Sequence, residues 1–171
     1  MIIISIQEVD KKLLNDFDCG EDLLNSYLKR FAVRNDKNNI AKTFVCLNDD
    51  KSLLIGFFSL SMASVQFADY SQDHFDNIPH YPIPCARIAR LAINKRYQGQ
   101  GIGKYLIREC FLRILLLSQK IAVYLIIVDA KESSIGFYEH YGFKLLKKDS
   151  LTYFMKLSVI EKAYEDNKPH K

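Results

Sequence analysis

Three of the chain's seven glycines occupy alternate positions in one short segment, RYQGQGIGKYL, at residues 96–106. A strand-like stretch precedes the segment, and a stretch with one apolar face follows it. The first backbone N–H groups of a helix lack intrahelical partners and carry the positive end of its dipole, so a strand, a glycine turn and a helix form an anion site. Glycine lets the backbone approach a phosphate without an intervening Cβ. The residues that would line this cradle are Gln98, Gly99, Gly101, Ile102, Gly103 and the positively charged Lys104.

The glycine spacing alone leaves two interpretations open. The segment is not a Walker A loop, because the G-x-x-x-x-G-K-[ST] spacing is absent, and it lacks the last glycine of the dinucleotide fingerprint G-x-G-x-x-G. A glycine cluster of this kind is often only a tight turn. An anion site and a turn without a ligand therefore remain alternatives at this point.

Regular elements on both sides would hold the glycine turn in place. CARIARLAIN at 85–94 predicts the strand before it, with a bulge near residues 89–92, where the apolar alternation slips. The helix after it is predicted at 101–118. Residues recurring at helical spacing define the buried stripe of that helix: Ile102, Leu106, Cys110, Ile114 and Leu117.

The rest of the chain alternates between strands and helices. Strands are predicted at 2–7, 42–49 and 53–67, and a helix begins at Glu21. Residues 68–84 predict a loop or a short helix closed by prolines. Further elements are an apolar strand buried on both faces at 121–130, a short helix ending at Gly142, and a hairpin at 144–157 with its turn near Asp149 and Ser150. This order favours one α/β domain.

Length and composition restrict the class of protein. With 171 residues, the chain suits one domain at 1–160 followed by a polar tail at 161–171. It has no apolar run long enough to span a membrane. Its four cysteines lie far apart among apolar neighbours, which indicates buried thiols in a reducing cytoplasm rather than a zinc or redox site.

The net charge of +4 is unevenly distributed. Residues 77–108 contain no acidic side chain, so all 20 acidic residues lie elsewhere. The basic residues of this window are Arg87, Arg90, Lys95, Arg96, Lys104 and Arg108. One interpretation is a polyanion bound nearby. The other is that these side chains point in several directions and form no patch.

Two motifs together carry a family resemblance. QGQGIG at 98–103 resembles the Q/R-x-x-G-x-G/A motif of the GNAT superfamily, the acetyl-CoA-dependent N-acetyltransferases. GFYEHYGF at 136–143 is similar to the FYxxxGF segment that closes that fold. The strand RLAIN and the apolar strand at 121–130 stand where the family has them, so the resemblance extends from Phe44 to Leu157.

The resemblance implies a fold and a cofactor site. The fold is a single α/β domain with a mixed, mostly antiparallel sheet, a splayed central strand pair and flanking helices. The glycine turn would hold the pyrophosphate of acetyl-CoA, and no metal is expected. The backbone of Leu91, Ala92 and Ile93 would pair with the pantetheine arm as a peptide pairs with a sheet edge. The other residues assigned to the cofactor are Gln100, Ser134, Phe137 and Tyr138.

Acetyl transfer needs a proton donor and an oxyanion partner. The resemblance assigns the first role to Tyr138, because a tyrosine with a pKa near 10 can protonate a departing thiolate of similar basicity. The second role would belong to the backbone N–H of Ile93. The alternative for Tyr138 is aromatic packing on the sheet, a role that Phe137 and Tyr141 fit better.

A general base is not evident in the sequence. The strand at 85–94, where many GNAT enzymes carry a glutamate, has no acidic residue. Glu139 and His140 would face away from Tyr138 on the same helix, and Asp129 fits better as a residue that orders a turn. An α-amine with a pKa near 8 is partly neutral already, whereas a lysine amine near 10.4 needs strong help. The missing base therefore favours an α-amine substrate.

The N-terminal third resembles one GNAT subgroup, the tRNA-acetylating toxins of toxin–antitoxin modules. The resemblance rests on Phe17, Cys19, Gly20 and Asn25 in the first part of the chain, and on residues 82–92. It implies acetylation of aminoacyl-tRNA, a ribbon–helix–helix antitoxin, a homodimer and a cytoplasmic location. The residues predicted to contact tRNA are Lys29, Arg30, Arg34, Arg87, Arg90 and Arg96.

Simpler explanations of the same features remain open. Coenzyme A is itself polyanionic and would account for Lys104 and Arg96, and every helix needs a solvated face for residues such as Lys29 and Arg30. The substrate could instead be a small-molecule amine or a protein N-terminus. A non-catalytic module that kept the fold is a third class, but the intact Gly101, Gly103 and Tyr138 argue against it.

Overall fold

The computed structural model describes residues 1–66, 75, 82–148 and 150–166. The chain divides into two compact units. The first comprises Met1–Ser61 and Ile88–Cys110, and the second comprises Met62–Arg87 and Phe111–Lys171. The predicted turn residue Asp149 and most of the predicted loop at 68–84 lie outside the described residues.

The strands of the described chain form a seven-stranded mixed sheet. They are β1 (Ile2–Ser5), β2 (Lys42–Leu47), β3 (Leu54–Val65), β4 (Ile83–Ile93), β5 (Leu125–Asp129), β6 (Lys144–Leu145) and β7 (Thr152–Lys156), in the order β1-β2-β3-β4-β5-β7-β6. The pairs β1/β2, β2/β3, β5/β7 and β6/β7 are antiparallel, whereas β4 and β5 are parallel. The mixed, mostly antiparallel α/β fold is therefore confirmed.

Helical segments of the first unit precede β2. They are α1 (Lys11–Asn15), α2 (Asp22–Ser26) and α3 (Ala32–Lys37), and a π-helical turn at Tyr27–Phe31 joins α2 to α3. Within this turn the N–H of Ala32 donates to the carbonyl of Tyr27, five residues back. We call the continuous helical run at residues 22–37 the basic helix. Its predicted start near Glu21 is confirmed, but the π turn was not predicted.

Three aromatic rings pack together in the core of the first unit. The ring of Phe57 is fully buried, packs edge-on against Phe17 with centroids 5.4 Å apart, and stacks on Tyr27 at 6.3 Å. Burying such rings stabilises the unit, because each removes a large apolar area from water. The same core anchors the loop that contains Phe17, which lies between α1 and α2.

The second unit is organised around β5. Residues 125–128 are buried, as predicted for a strand covered on both faces. Cys85–Arg87 of β4 pair with Leu125–Ile127, and β7 pairs along the other edge of β5. The predicted hairpin is present as β6 and β7. The other α-helices among the described residues are α4 (Ile102–Ser118), α5 (Ile135–His140) and α6 (Leu157–Asp166).

One sequence prediction needs correction. Leu117 is 38% exposed and does not belong to the buried stripe of α4, because it lies in the last turn of the helix, whereas Ile107 is buried. Residues 161–166 of the predicted polar tail continue α6, a helix in which Leu157 and Ile160 are buried. The predicted boundary of the domain stays a prediction.

All four cysteines are buried and none is in a disulfide. Burial raises the pKa of the Cys46 and Cys85 thiols to about 11, so both stay protonated at neutral pH. Within the described residues, no helix is both long and apolar enough to cross a bilayer.

Candidate functional site

The glycine turn lies between the end of β4 and the start of α4. A short 3-10 helix at Lys95–Tyr97 follows the strand, and Gly99 and Gly101 then adopt positive φ values of 74° and 78°. Both glycines are exposed, and a Cβ added to either would meet no atom within 4 Å. Residues other than glycine rarely adopt this backbone conformation. The turn therefore presents bare backbone to open space.

The first turn of α4 offers donors to that space. The N–H of Lys104 donates to the carbonyl of Gly101 at 3.1 Å, which tightens the helix start. The N–H groups of Ile102 and Gly103 stand among the first four of the helix, which have no intrahelical acceptor. The Lys104 side chain is exposed and can bring its charge to the same place. These groups fit an anionic diphosphate at the turn.

The two glutamines of the turn bind backbone carbonyls with their side chains. Gln98 Nε2 donates to the carbonyls of Cys19 at 2.9 Å and Ile93 at 3.0 Å. Gln100 Nε2 donates to the carbonyl of Arg96 at 3.1 Å. Both amides are therefore used to shape the turn, and only their backbone N–H groups remain as predicted cradle donors.

The end of β4 carries the predicted pantetheine strand. Ala92 is buried, whereas Leu91 and Ile93 are half-buried. The next residue, Asn94, donates its N–H to the carbonyl of Ile55 at 2.8 Å and accepts the N–H of Arg96 at Oδ1. The conformation of the strand end is thus fixed by hydrogen bonds. The predicted bulge and splay of this strand stay predictions.

Tyr138 and its neighbours form an aromatic group in the second unit. Tyr138 is 6% exposed and contacts Phe137 and Phe143 edge-on, with centroids 5.1 and 5.6 Å away. Phe137 is half-buried, and the Ser134 hydroxyl at the helix start donates to the carbonyl of Lys131 at 2.9 Å. The helix ends at His140, two residues before the predicted Gly142, which follows with a positive φ of 88°.

The carboxylates of Asp129 and Glu139 have partners of their own. Asp129 accepts the Thr152 hydroxyl at 2.8 Å, and its other oxygen lies 3.6 Å from Arg87 Nη1. Burial raises the pKa of Tyr153, and the hydrogen-bonded carboxylate of Glu139 raises it further. Asp129 is therefore engaged by Thr152 of β7 and by Arg87 of β4, whereas the sequence predicted that it orders the turn after its strand.

The basic residues predicted to bind tRNA fall into two groups. Arg87 pairs with Asp129, and the guanidinium of Arg90 lies 3.6 Å from the centre of the Tyr27 ring, so both make contacts within the protein. The exposed group belongs entirely to the first unit: Lys29, Arg30 and Arg34 on the basic helix, and Arg96 beside the glycine turn.

Sequence reasoning missed the residues that support the glycine turn from outside it. Asp18 and Asn25 hold the loop that contains Cys19, and the carbonyl of Cys19 accepts a hydrogen bond from the Gln98 side chain. Lys95 forms a salt bridge with Asp18. A signal was present in the sequence, since Cys19 and Asn25 belong to the motif shared with the subgroup. Its connection to the glycine turn depends on contacts between distant parts of the chain and could not be read from spacing.

A comparison with known families identifies the domain. Residues 39–145 match the family described as the acetyltransferase (GNAT) domain. The chain belongs to the GNAT acetyltransferase family. In this GNAT domain, the glycine turn and the end of β4 belong to the first unit and α5 belongs to the second. No cluster of metal-ligating side chains occurs among the residues described.

Individual relatives of this GNAT domain are toxins. A tRNA-acetylating toxin of Mycobacterium tuberculosis is 30% identical over 139 residues, which are 81% of this chain and 82% of that protein. The structure of AtaT complexed with acetyl-methionyl-tRNAfMet matches with a TM-score of 0.83 and 27% identity, over 95% of this chain and 98% of the other. A mutant AtaT toxin bound to the C-terminus of the antitoxin AtaR and acetyl-CoA matches with a TM-score of 0.80 and 25% identity, over 95% and 97%.

Proposed function

We propose that the protein transfers an acetyl group from acetyl-CoA to the α-amine of aminoacyl-tRNA, and that it thereby blocks translation as the toxin of a toxin–antitoxin module. The observation that carries this proposal is the 30% identity to a tRNA-acetylating toxin over 81% of the chain. The likeness to AtaT in complex with an acetylated aminoacyl-tRNA supports the same substrate class.

The glycine turn is the proposed site for the pyrophosphate of acetyl-CoA, which supplies the thioester carbonyl as the electrophile. Support comes from the open space beside Gly99 and Gly101, the helix N-terminus that follows, and the exposed Lys104. The backbone of Leu91, Ala92 and Ile93 would hold the pantetheine arm. From this strand, the N–H of Ile93 would donate to the thioester oxygen as negative charge develops there.

Tyr138 is the proposed proton donor to the leaving sulfur. Its burial among aromatic rings would keep water away from the phenol and hold the side chain in one orientation. Phe137 and Ser134 on the same helical segment would complete the cofactor site. The role requires a phenol at this position, which distinguishes it from a packing role that phenylalanine could fill.

No acidic side chain is proposed as the base. Asp129 is hydrogen-bonded to Thr152 and adjacent to Arg87, and β4 carries no acid. An esterified α-amine needs little assistance, because much of it is neutral near its pKa. Water would accept the proton, and this fits an aminoacyl ester better than a lysine side chain.

The exposed cations of the first unit are the proposed tRNA contacts. Lys29, Arg30 and Arg34 lie along the basic helix, where Phe31 is 41% exposed and Arg34 lies over its ring. Cations flanking an exposed ring suit a phosphate backbone and its unpaired bases. Arg96 would contact the end of the acceptor near the glycine turn.

An antitoxin and a second copy of the chain are the proposed protein partners. The antitoxin would be a ribbon–helix–helix protein encoded as a separate chain, and the functional form would be a homodimer in the cytoplasm. The complex of the AtaT toxin with the antitoxin AtaR supports the first of these partners.

Radiolabelled acetyl-CoA tests the substrate directly. Purified protein is incubated with total bacterial tRNA, charged in one reaction and deacylated in the other. We expect label only on charged tRNA, and the labelled species would identify the amino acid. Label on neither tRNA, together with label on polyamines or peptides, would contradict the proposed substrate while leaving the acetyltransferase intact.

A further inference from the structure

The side chain of Asn25 makes three hydrogen bonds to the loop between α1 and α2. Asn25 Oδ1 accepts the N–H of Cys19 at 2.9 Å and its thiol at 3.2 Å, while Asn25 Nδ2 donates to Asp18 Oδ1 at 2.9 Å. The same Asp18 oxygen accepts the N–H of Gly20 at 2.9 Å. Both ends of the Asn25 amide are therefore used to shape the segment Asp18–Gly20.

This loop is bound to the segment that leads into the glycine turn. The N–H of Lys95 donates to the carbonyl of Asp18 at 2.8 Å, and the Lys95 ammonium lies 2.5 Å from Asp18 Oδ2. Gln98 then joins the loop to the strand, because its Nε2 donates to the carbonyls of both Cys19 and Ile93. The hydrogen bond from Lys95, followed by those from Gly20 and Asn25, holds the pKa of Asp18 well below its usual range.

We infer that Asp18, Asn25, Lys95 and Gln98, acting through the Cys19 carbonyl, are positioning residues that preorganise the glycine turn for the pyrophosphate of acetyl-CoA. We call these side chains the turn brace. The inference rests on the proposed use of acetyl-CoA. A turn rich in glycine loses much conformational entropy when it is ordered, so ordering it before binding lowers the cost of binding. Gln98 immediately precedes Gly99, so the brace fixes the residue at which the turn begins.

The turn brace also assigns a structural role to the N-terminal motif that the chain shares with the toxin subgroup. Cys19, Gly20 and Asn25 lie more than seventy positions before Gln98 in the sequence, yet they determine where the Cys19 carbonyl stands. Asn25 then acts on acetyl-CoA only through the turn. Its loss should therefore weaken acetyl-CoA binding and leave the chemical step nearly unchanged.

The test compares Asn25→Ala with Asn48→Ala in the full chain. Asn48 is a matched control, because its side-chain amide likewise uses both ends in a turn of the first unit: Nδ2 donates to Ser52 Oγ and Oδ1 accepts the N–H of Leu53. Isothermal titration calorimetry gives the Kd for acetyl-CoA, and thermal unfolding gives the stability of each variant. We expect Asn25→Ala to weaken acetyl-CoA binding about tenfold, the value of one hydrogen bond of ordinary strength. Asn48→Ala should leave the Kd unchanged at a similar loss of Tm.

Steady-state kinetics provides the second measurement. For Asn25→Ala the KM for acetyl-CoA should rise while kcat at saturating acetyl-CoA changes less than about twofold, because only uniform binding is lost. Asn25→Asp keeps the shape and the acceptor for Cys19 but turns an oxygen toward Asp18, so it should weaken binding without removing packing.

The possible results distinguish a failure of the turn brace from a failure of the proposed function. An unchanged Kd in Asn25→Ala and Asn25→Asp, or an equal loss of affinity in Asn48→Ala, would overturn the inference. Calorimetry requires no acetyl acceptor, so a failure of aminoacyl-tRNA as the substrate leaves this result interpretable. Absence of acetyl-CoA binding by the wild-type protein would overturn both the turn brace and the acetyl-CoA site.

Discussion

Tyr138 combines a buried ring with a proposed chemical role. Its ring packs edge-on against Phe143, and its backbone carbonyl accepts the N–H groups of Tyr141 and Phe143 at the end of α5. These contacts explain an aromatic residue at this position, but they do not require a hydroxyl. A substitution that removes only the hydroxyl therefore separates packing from proton transfer.

Tyr138→Phe should keep acetyl-CoA affinity and lose acetyl transfer. General acid catalysis contributes about 10²–10⁴-fold, so kcat should fall by at least about a hundredfold. Tyr141→Phe, which removes a hydroxyl from the residue directly after the same helix, is the matched control and should retain turnover. Comparable kcat values for Tyr138→Phe and the wild type would remove Tyr138 as the acid.

Gly101→Asp should abolish acetyl-CoA binding. The φ of +78° is strained for any side chain, and the new carboxylate would face the proposed pyrophosphate site. Gly136→Asp, on the exposed side of α5 at an ordinary φ, adds the same charge without that strain and should bind normally. Normal affinity of Gly101→Asp in calorimetry would show that the turn does not hold the pyrophosphate.

At the scale of elements, the basic helix concentrates exposed cations in the first unit. Reversing three of them in Lys29→Glu, Arg30→Glu, Arg34→Glu should raise the KM for aminoacyl-tRNA at least about tenfold. The dependence of binding on salt should also flatten, by about 0.9 in slope for each phosphate that the helix no longer neutralises. The KM for acetyl-CoA should not change.

A charge-matched variant controls for the change in net charge. Lys11→Glu, Lys12→Glu, Lys51→Glu reverses three exposed lysines of the first unit outside the basic helix. If this variant raised the KM for aminoacyl-tRNA as much as the other, long-range attraction and not the basic helix would govern tRNA binding.

Elements defined by local pattern were predictable, and those defined by distant contacts were not. The apolar run of β5 and the alternate glycines at 99–103 act through local chemistry, so the sequence alone indicates both. The helix α6 was missed because only Leu157 and Ile160 of that helix are buried. The π turn was missed because apolar spacings of three and four residues accommodate one extra residue without an obvious break.

The residues of the candidate site that lie in short motifs were predictable from the sequence, and the contacts that hold them were not. Its glycines and Tyr138 lie in short motifs, whereas the partners of Gln98 lie far away in sequence, on Cys19 and Ile93. The sequence predicted Gln98 among the residues that line the cradle, but it did not indicate that the side-chain amide binds two backbone carbonyls. Arg87 and Arg90 illustrate the same limit, because Asp129 and Tyr27 engage them within the protein.

For the molecule as a whole, the buried thiols should make the free energy of unfolding fall as pH rises above about 9. Burial raises the pKa of Cys46 and Cys85 from 9.0 to about 11, so the folded chain keeps two protons that the unfolded chain releases between these values. Their contribution is complete below pH 9 and is lost as pH rises to about 11. Each thiol should steepen the fall in unfolding free energy by about 1.4 kcal/mol per pH unit in that window.

Denaturant titrations between pH 8.5 and 10.5 check this expectation. Cys85→Ala should be less stable at every pH, yet its stability should fall less steeply above pH 9, and adding Cys46→Ala should flatten the slope again. Parallel curves for the three proteins would show that neither thiol titrates differently on unfolding.

The π turn at Tyr27–Phe31 has a consequence for how the chain can change in length. It accommodates one residue more than a regular α-helix would hold between the same two ends. Deleting one residue there would close a regular helix, whereas a deletion elsewhere in an α-helix rotates everything beyond it by about 100°. We expect this turn to be the place where natural relatives gain or lose a single residue, with Lys29 and Arg30 on the insertion itself and Arg34 beyond it.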